Sequence, residues 1–127
     1  MKLLLDTHAI IWYIWDNPRL SSHIRQMIKD DSTDIYASVV SFWEMSIKYR
    51  QGKLDLRSSL VDTVHLLRCH GFQILDVCLN HIFQLDALEQ HHKDPFDRML
   101  IAQALTEDFA IVGCDDVFDR YGVRRLW

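Results

Sequence analysis

Four carboxylates carry the chemistry this chain can do. Asp6 follows a short apolar run, Glu44 lies inside a largely apolar segment, Asp97 stands two residues after Pro95, and Asp115 comes just after the apolar stretch from Phe109 to Val112. All four are hard oxygen donors of the kind that suits Mg²⁺ or Mn²⁺, and Mg²⁺ takes only one or two carboxylates directly while keeping several waters. If a fold gathers them without a cation, each pair about 4 Å apart repels by roughly 4 kcal/mol at an effective dielectric of about 20, so at least one carboxyl must hold a proton. With a divalent ion between them, a bound water becomes more acidic and can be aimed at phosphorus, and negative charge on a transferring phosphoryl group is neutralised. The chemistry implied is hydrolysis of a phosphodiester. A Gly-rich phosphate loop, a G-x-S-x-G nucleophile motif and a zinc-protease histidine pattern are all missing.

Each acid also has a plainer role open to it. Asp94 before Pro95 has the look of a helix N-cap, and Asp97 that of a first-turn acid favoured by the helix dipole, worth about 0.3–1 kcal/mol. Glu44 stands four residues before Lys48, the favoured order for a surface ion pair of about 0.2–0.5 kcal/mol. Asp116 and Asp119 read as turn or cap residues. His91 and His92 are open to metal contact, although adjacent histidines before a helix are more often solvated.

The elements that must position these groups follow from the pattern. Lys2 to Leu5 suits a strand buried on both faces, ending at Asp6, and in open α/β sheets ligands bind beyond the carboxyl ends of strands. Thr7 to Trp15 is apolar nearly all round and reads as a helix stopped near Asn17 and Pro18. Its Trp12, Tyr13 and Trp15 suit either internal packing or a partner interface. Leu20 to Ile28 is an amphipathic helix, Ile35 to Ala37 a short strand, and Ser38 an N-cap for a helix through about Arg50 that Gly52 ends. A further helix covers Leu60 to Leu67, a strand Phe72 to Val77 and a helix Leu79 to Leu88. Pro95, tolerated at a first helical position, starts a helix whose apolar face runs from Met99 to Leu105. Phe109 to Val112 is a buried strand and Arg124 to Trp127 an edge strand. Strands separated by helices imply a mainly parallel sheet covered on both faces, an α/β fold.

With 127 residues and 49% hydrophobic content, the chain is the size of one domain, residues 1–127. MKLLLD is too short an apolar run for a signal peptide, and charges interrupt every apolar segment before the roughly 20 residues a membrane span needs, so a cytoplasmic protein with no membrane contact is expected. Cys69, Cys78 and Cys114 are odd in number and form no C-x-x-C pair, which points to reduced thiols. The net charge of −4 gives no overall attraction to nucleic acid, so such contact must be local. Lys48, Arg50, Lys53 and Arg57, and again Arg120, Arg124 and Arg125, form clusters that suit either a phosphate track or a solvated rim.

Four ordered stretches are recognisable together. LLLDTH, SVVSFWEMSIK, DPFDRMLIAQA and VGCDDVFDRYGV resemble the successive motifs of the PIN-domain nucleases and, within them, the VapC-type toxins of bacterial toxin–antitoxin pairs. The likeness spans nearly the whole chain. It implies a three-layer α/β/α domain with a mainly parallel central sheet that usually dimerises. It also implies that Asp6, Glu44, Asp97 and Asp115 form the acidic, metal-binding catalytic site, with Mg²⁺ or Mn²⁺ as cofactor. The activity implied is endoribonuclease cleavage of RNA such as tRNA, held in check by a cognate antitoxin protein. Two other readings share these residues: a PIN nuclease of RNA processing, and a catalytically weak module that binds RNA or protein. One position departs from the family pattern, because Gly113 stands where threonine is common, and this leaves the support of Asp115 open, with Asp116 as a substitute.

Overall fold

The computed structural model describes residues 1–127. Its strands are β1 (Lys2–Leu5), β2 (Asp34–Ser38), β3 (Gln73–Leu75), β4 (Ala110–Val112) and β5 (Arg125–Leu126), and its helices are α1 (Thr7–Ile14), α2 (Ser22–Lys29), α3 (Val39–Arg50), α4 (Leu60–Cys69), α5 (Leu79–Ala87) and α6 (Pro95–Glu107). A six-residue 3-10 turn, Asp116–Tyr121, lies between β4 and β5. Every strand pairing is parallel and the order across the sheet is β3-β2-β1-β4-β5. The chain thus winds outward from β1 to β3 on one side, then returns to lay β4 on the other side of β1. Such a reversal opens a crevice beyond the carboxyl ends of the two central strands, here β1 and β4.

Alternation along β1 sorts the core into two layers. Leu3 and Leu5 join Ile10, Ile24, Met45 and Leu67 in a cluster beneath α1 to α4, whereas Leu4 joins Leu100, Ile101, Ala104 and Phe118 beneath α6. Sheet residues of period two thereby meet helices on both faces, which is why the first strand reads as continuously apolar. Helix boundaries follow their caps. Ser38 accepts from the Val40 amide at the start of α3, and Gly52, at φ +72°, takes the left-handed conformation just past its end. The strand expected over Phe72 to Val77 is shorter than its apolar run, only Gln73–Leu75, because only those residues pair with β2. No helix is long and apolar enough to cross a membrane.

A buried polar clamp ties α6 to the sheet. Gln103, fully buried, accepts from the Ser38 hydroxyl at 2.6 Å and donates to the Asp76 carbonyl at 3.2 Å. Both partners lie at carboxyl ends of neighbouring strands, so the clamp fixes where the start of α6 falls relative to the crevice.

Candidate active site

Asp6 leaves β1 and caps α1, its Oδ1 accepting from the Ala9 amide at 2.8 Å, while its own amide donates to the Val112 carbonyl of β4 at 2.9 Å. One carboxylate oxygen is therefore spent on the cap. The other points toward β4, where a Cβ built on Gly113 would lie 2.5 Å from it. Gly113 is outside the left-handed region, so the requirement is for space and not for backbone freedom.

Glu44 sits one and a half turns into α3 and is buried, 3% exposed. Thr7 donates its hydroxyl to Glu44 Oε1 at 2.6 Å, the Ser41 hydroxyl lies 3.0 Å from the same Thr7 oxygen, and Lys48 pairs with Oε2. The ion pair read from the sequence exists, but it faces the crevice instead of a solvated helix surface. Burial of a carboxylate demands such partners on both oxygens.

Asp94 is the N-cap of α6, its Oδ1 accepting from the amides of Phe96 at 2.9 Å and Asp97 at 3.1 Å, as the Asp-Pro pair suggested. Asp97, one turn further in, is free of that duty and turns to the crevice. Asp115 begins the 3-10 turn and accepts from the Val117 amide at 3.0 Å, so its support comes from its own turn and does not depend on a hydroxyl at position 113. Arg125 grips Asp119 through two 2.9 Å bonds and reaches the Gly113 carbonyl at 3.3 Å, which holds that turn against the end of β4. Asp119 is thus structural, and its carboxyl lies below the usual range because Arg125 bonds to it.

Asp6, Glu44, Asp97 and Asp115 all line one cavity of about 400 Å³, together with Asp94, Cys114, His8, Trp12, Arg19 and Lys48. Asp116 is not among its walls. A roomier groove of about 610 Å³ runs along α5 and the start of α6, but Asp86 is its sole carboxylate, whereas the smaller cavity gathers five. Burial lifts the Asp6 carboxyl to about 7, Glu44 and Asp115 adding to the rise against the bond from Ala9. Asp97 is also lifted to about 7, by burial first and then by Asp94, Asp6, Glu44 and Asp115.

No group of three or more His, Cys, Asp or Glu side chains is drawn tightly enough to enclose an ion. The donor set nonetheless fits a hydrated dication: the carboxylates of Asp6, Glu44, Asp97 and Asp115 line one cavity, and burial lifts two of them, Asp6 and Asp97, toward holding a proton when no cation is there.

The raised carboxyls have a consequence for stability. A carboxyl that holds its proton more tightly in the folded than in the unfolded chain favours folding below its ordinary value near 3.8, and that contribution is lost as pH rises through about 7. Metal-free protein is therefore expected to soften over that window, and Asp97→Asn to raise its melting temperature at about pH 8 while changing little near pH 4. Thermal melts in a chelator check this; a variant that melts lower than wild type at about pH 8 contradicts it.

Sequence reasoning passed over several residues here. Thr7 and Ser41 hold Glu44, and Gln103 sets α6. The expectation of solvated histidines fails too, because His91 and His92 are half-buried against Tyr121. Trp12 and Trp15 are half-buried as well, stacked with Arg19 and Arg57 respectively.

The PIN domain family profile matches residues 3–124. Among solved structures, the DNA-bound VapBC of Salmonella typhimurium is similar at a TM-score of 0.76 with 20% identity, covering 99% of this chain and 97% of that one. VapBC2 of Rickettsia felis, bound to a promoter DNA fragment, gives 0.75 with 16% identity over 99% and 98%. VapBC-1 of nontypeable Haemophilus influenzae gives 0.71 with 14% identity over 99% and 97%. No curated protein sequence matches. At such identities the structures speak for the shared fold alone, but the family profile runs through all four acidic stretches, and the chain belongs to the PIN-domain family.

Proposed function

We propose that this chain is a divalent-metal-dependent endoribonuclease acting as the toxin of a toxin–antitoxin pair. The observation that carries the reading is the convergence of Asp6, Glu44, Asp97 and Asp115, from four separate parts of the sequence, on one cavity at the switch point of the sheet. Asp6 and Asp97 would hold Mg²⁺ or Mn²⁺, with Glu44 and Asp115 beside them in the same cavity. Bound there, such an ion would make water more acidic and neutralise charge on the transferring phosphoryl group. Thr7, Ser41 and Lys48 keep Glu44 aimed, and the cap from Ala9 leaves Asp6 one oxygen to offer. Arg19 on the cavity wall gives a backbone phosphate its counter-charge, which a chain of net charge −4 must supply locally. An antitoxin partner is proposed because the similar structures are VapBC assemblies. Homodimerisation and an RNA such as tRNA as substrate belong to the same proposal.

The test is direct. Purified chain incubated with RNA is expected to cut internally in Mg²⁺, to stop in EDTA, and to be silenced by the protein encoded beside it. Equal cleavage with and without chelator removes the metal mechanism. Metal-dependent cleavage that no neighbouring gene product inhibits moves the chain to an RNA-processing nuclease. A folded chain that binds RNA but takes up no Mn²⁺ at millimolar concentration moves the reading to the catalytically weak binding module.

A further inference from the structure

Tyr121 sits at the end of the 3-10 turn, and its hydroxyl is crowded. The amides of His91 and His92 point at it from 3.2 and 3.1 Å, and Arg98 Nη1 from 3.2 Å. A phenol oxygen has two lone pairs and one proton, so these three donors more than fill what it can accept and two of them must share a lone pair. Its fourth contact is His92 Nδ1 at 2.6 Å. That nitrogen is the sole acceptor within reach of the phenol proton, so Tyr121 donates to it and Nδ1 carries no hydrogen. The proton of the neutral ring is then on Nε2.

The Nε2 atom is the one buried side-chain nitrogen or oxygen in the molecule without a hydrogen-bond partner. It lies 3.7 Å from Asp97 Oδ2. The gap is about half an ångström beyond a proper N–H···O bond, and an aspartate carboxylate turns on a soft terminal torsion that can close it. The base of the arrangement is stiff. Buried Arg98 is anchored on the Glu89 carbonyl at 2.8 Å, and both histidine rings pack edge-on against Tyr121 with centroids 4.8 and 5.4 Å away.

We propose that Tyr121 and His92 form a hydrogen-bond relay that ends on Asp97 Oδ2, with His92 locked as its Nε2–H tautomer, so that the other oxygen of Asp97 is presented to the cavity. The role rests on the cation reading of that cavity. His92 is a positioning residue in it, not a ligand, because a protonated Nε2 has no lone pair to give a metal. Partners of this kind, one step behind a ligand, typically change metal affinity by 10–100-fold when removed.

Two measurements on the intact chain separate the relay from simple packing. Long-range proton–nitrogen NMR of metal-free wild type is expected to show His92 protonated at Nε2 and bare at Nδ1, and the Nε2 proton is expected to persist when Mg²⁺ is added. Calorimetric Mn²⁺ titration is expected to show binding weakened about 10–100-fold by His92→Ala and about 10-fold by Tyr121→Phe, with partial recovery in His92→Gln, whose side-chain amide can still donate. A proton on Nδ1 overturns the relay. So does loss of the Nε2 proton on adding Mg²⁺, which makes His92 a direct ligand, or Mn²⁺ affinity in folded His92→Ala and Tyr121→Phe equal to wild type. A wild-type chain with the expected tautomer that binds no Mn²⁺ overturns the cation reading itself, and the purpose of the relay with it.

Discussion

An Asp6→Asn chain is expected to cut RNA at least about 100-fold more slowly than wild type in Mg²⁺ while folding normally. Partners one step removed from a metal already change affinity by 10–100-fold, and a direct oxygen ligand should cost no less. The fold survives because asparagine is as good an N-cap as aspartate, and its carbonyl can still accept from the Ala9 amide. Asp97→Asn is expected to behave alike. Asp94→Asn supplies the contrast: its carboxylate already serves the amides of Phe96 and Asp97, asparagine preserves that cap, and activity should fall by less than about threefold. Steady-state cleavage of a fluorescent RNA, with circular dichroism as a check on folding, measures all three. Full activity in folded Asp6→Asn, or equal losses at positions 6 and 94, would contradict this assignment of roles.

Gly113→Ala is the second large effect. A methyl there would lie 2.5 Å from Asp6 Oδ2 and 2.8 Å from Phe118 Cε2, closer than real Cβ atoms approach anything, so one neighbour must move. Phe118 is fully buried among Leu4, Leu100 and Ile111 and cannot yield cheaply. Asp6 is the softer of the two, and displacing it spoils both the cap on α1 and the face it is proposed to offer to an ion. Overpacking of this kind costs about 1–3 kcal/mol. The variant is expected to unfold at lower denaturant and to lose Mn²⁺ affinity by about tenfold or more. Threonine, larger still, should do worse, despite being common in the family at this position. An alanine variant with wild-type stability and Mn²⁺ affinity would show that the Asp6 carboxylate does not depend on that space.

Local signals in the sequence carried much of the fold. The Asp94-Pro95 pair marks the start of α6, Gly52 the end of α3, and the alternating burial of Leu3, Leu4 and Leu5 follows from a strand covered on both sides. What stayed hidden depends on groups far apart in the chain. Gln103 looks like a polar interruption of an apolar helix until Ser38, 65 residues away, is seen to meet it. His92 reads as solvated because nothing nearby in sequence announces Tyr121, 29 residues on. The 3-10 turn is too short to show a helical period, so Asp119 reads only as a turn or cap residue and its grip by Arg125 goes unseen. Gly113 reads as a missing hydroxyl, whereas its place opposite the Asp6 carboxylate makes it a space requirement. The pairing of Glu44 with Lys48 was legible, but its burial was not, since a helical spacing does not say which face meets the crevice.

The central proposal is that Asp6 and Asp97 share one hard dication. The most direct measurement is anomalous diffraction at the manganese edge from crystals of the wild-type chain soaked in Mn²⁺, near neutral pH and above, where both carboxyls can give up their protons. A peak coordinated by one oxygen from each of the two residues, with Glu44 or Asp115 reaching it directly or through water, is the expected result. A cavity without manganese while the ion binds elsewhere, or carboxylates of Asp6 and Asp97 turned apart with no ion between them, would contradict it.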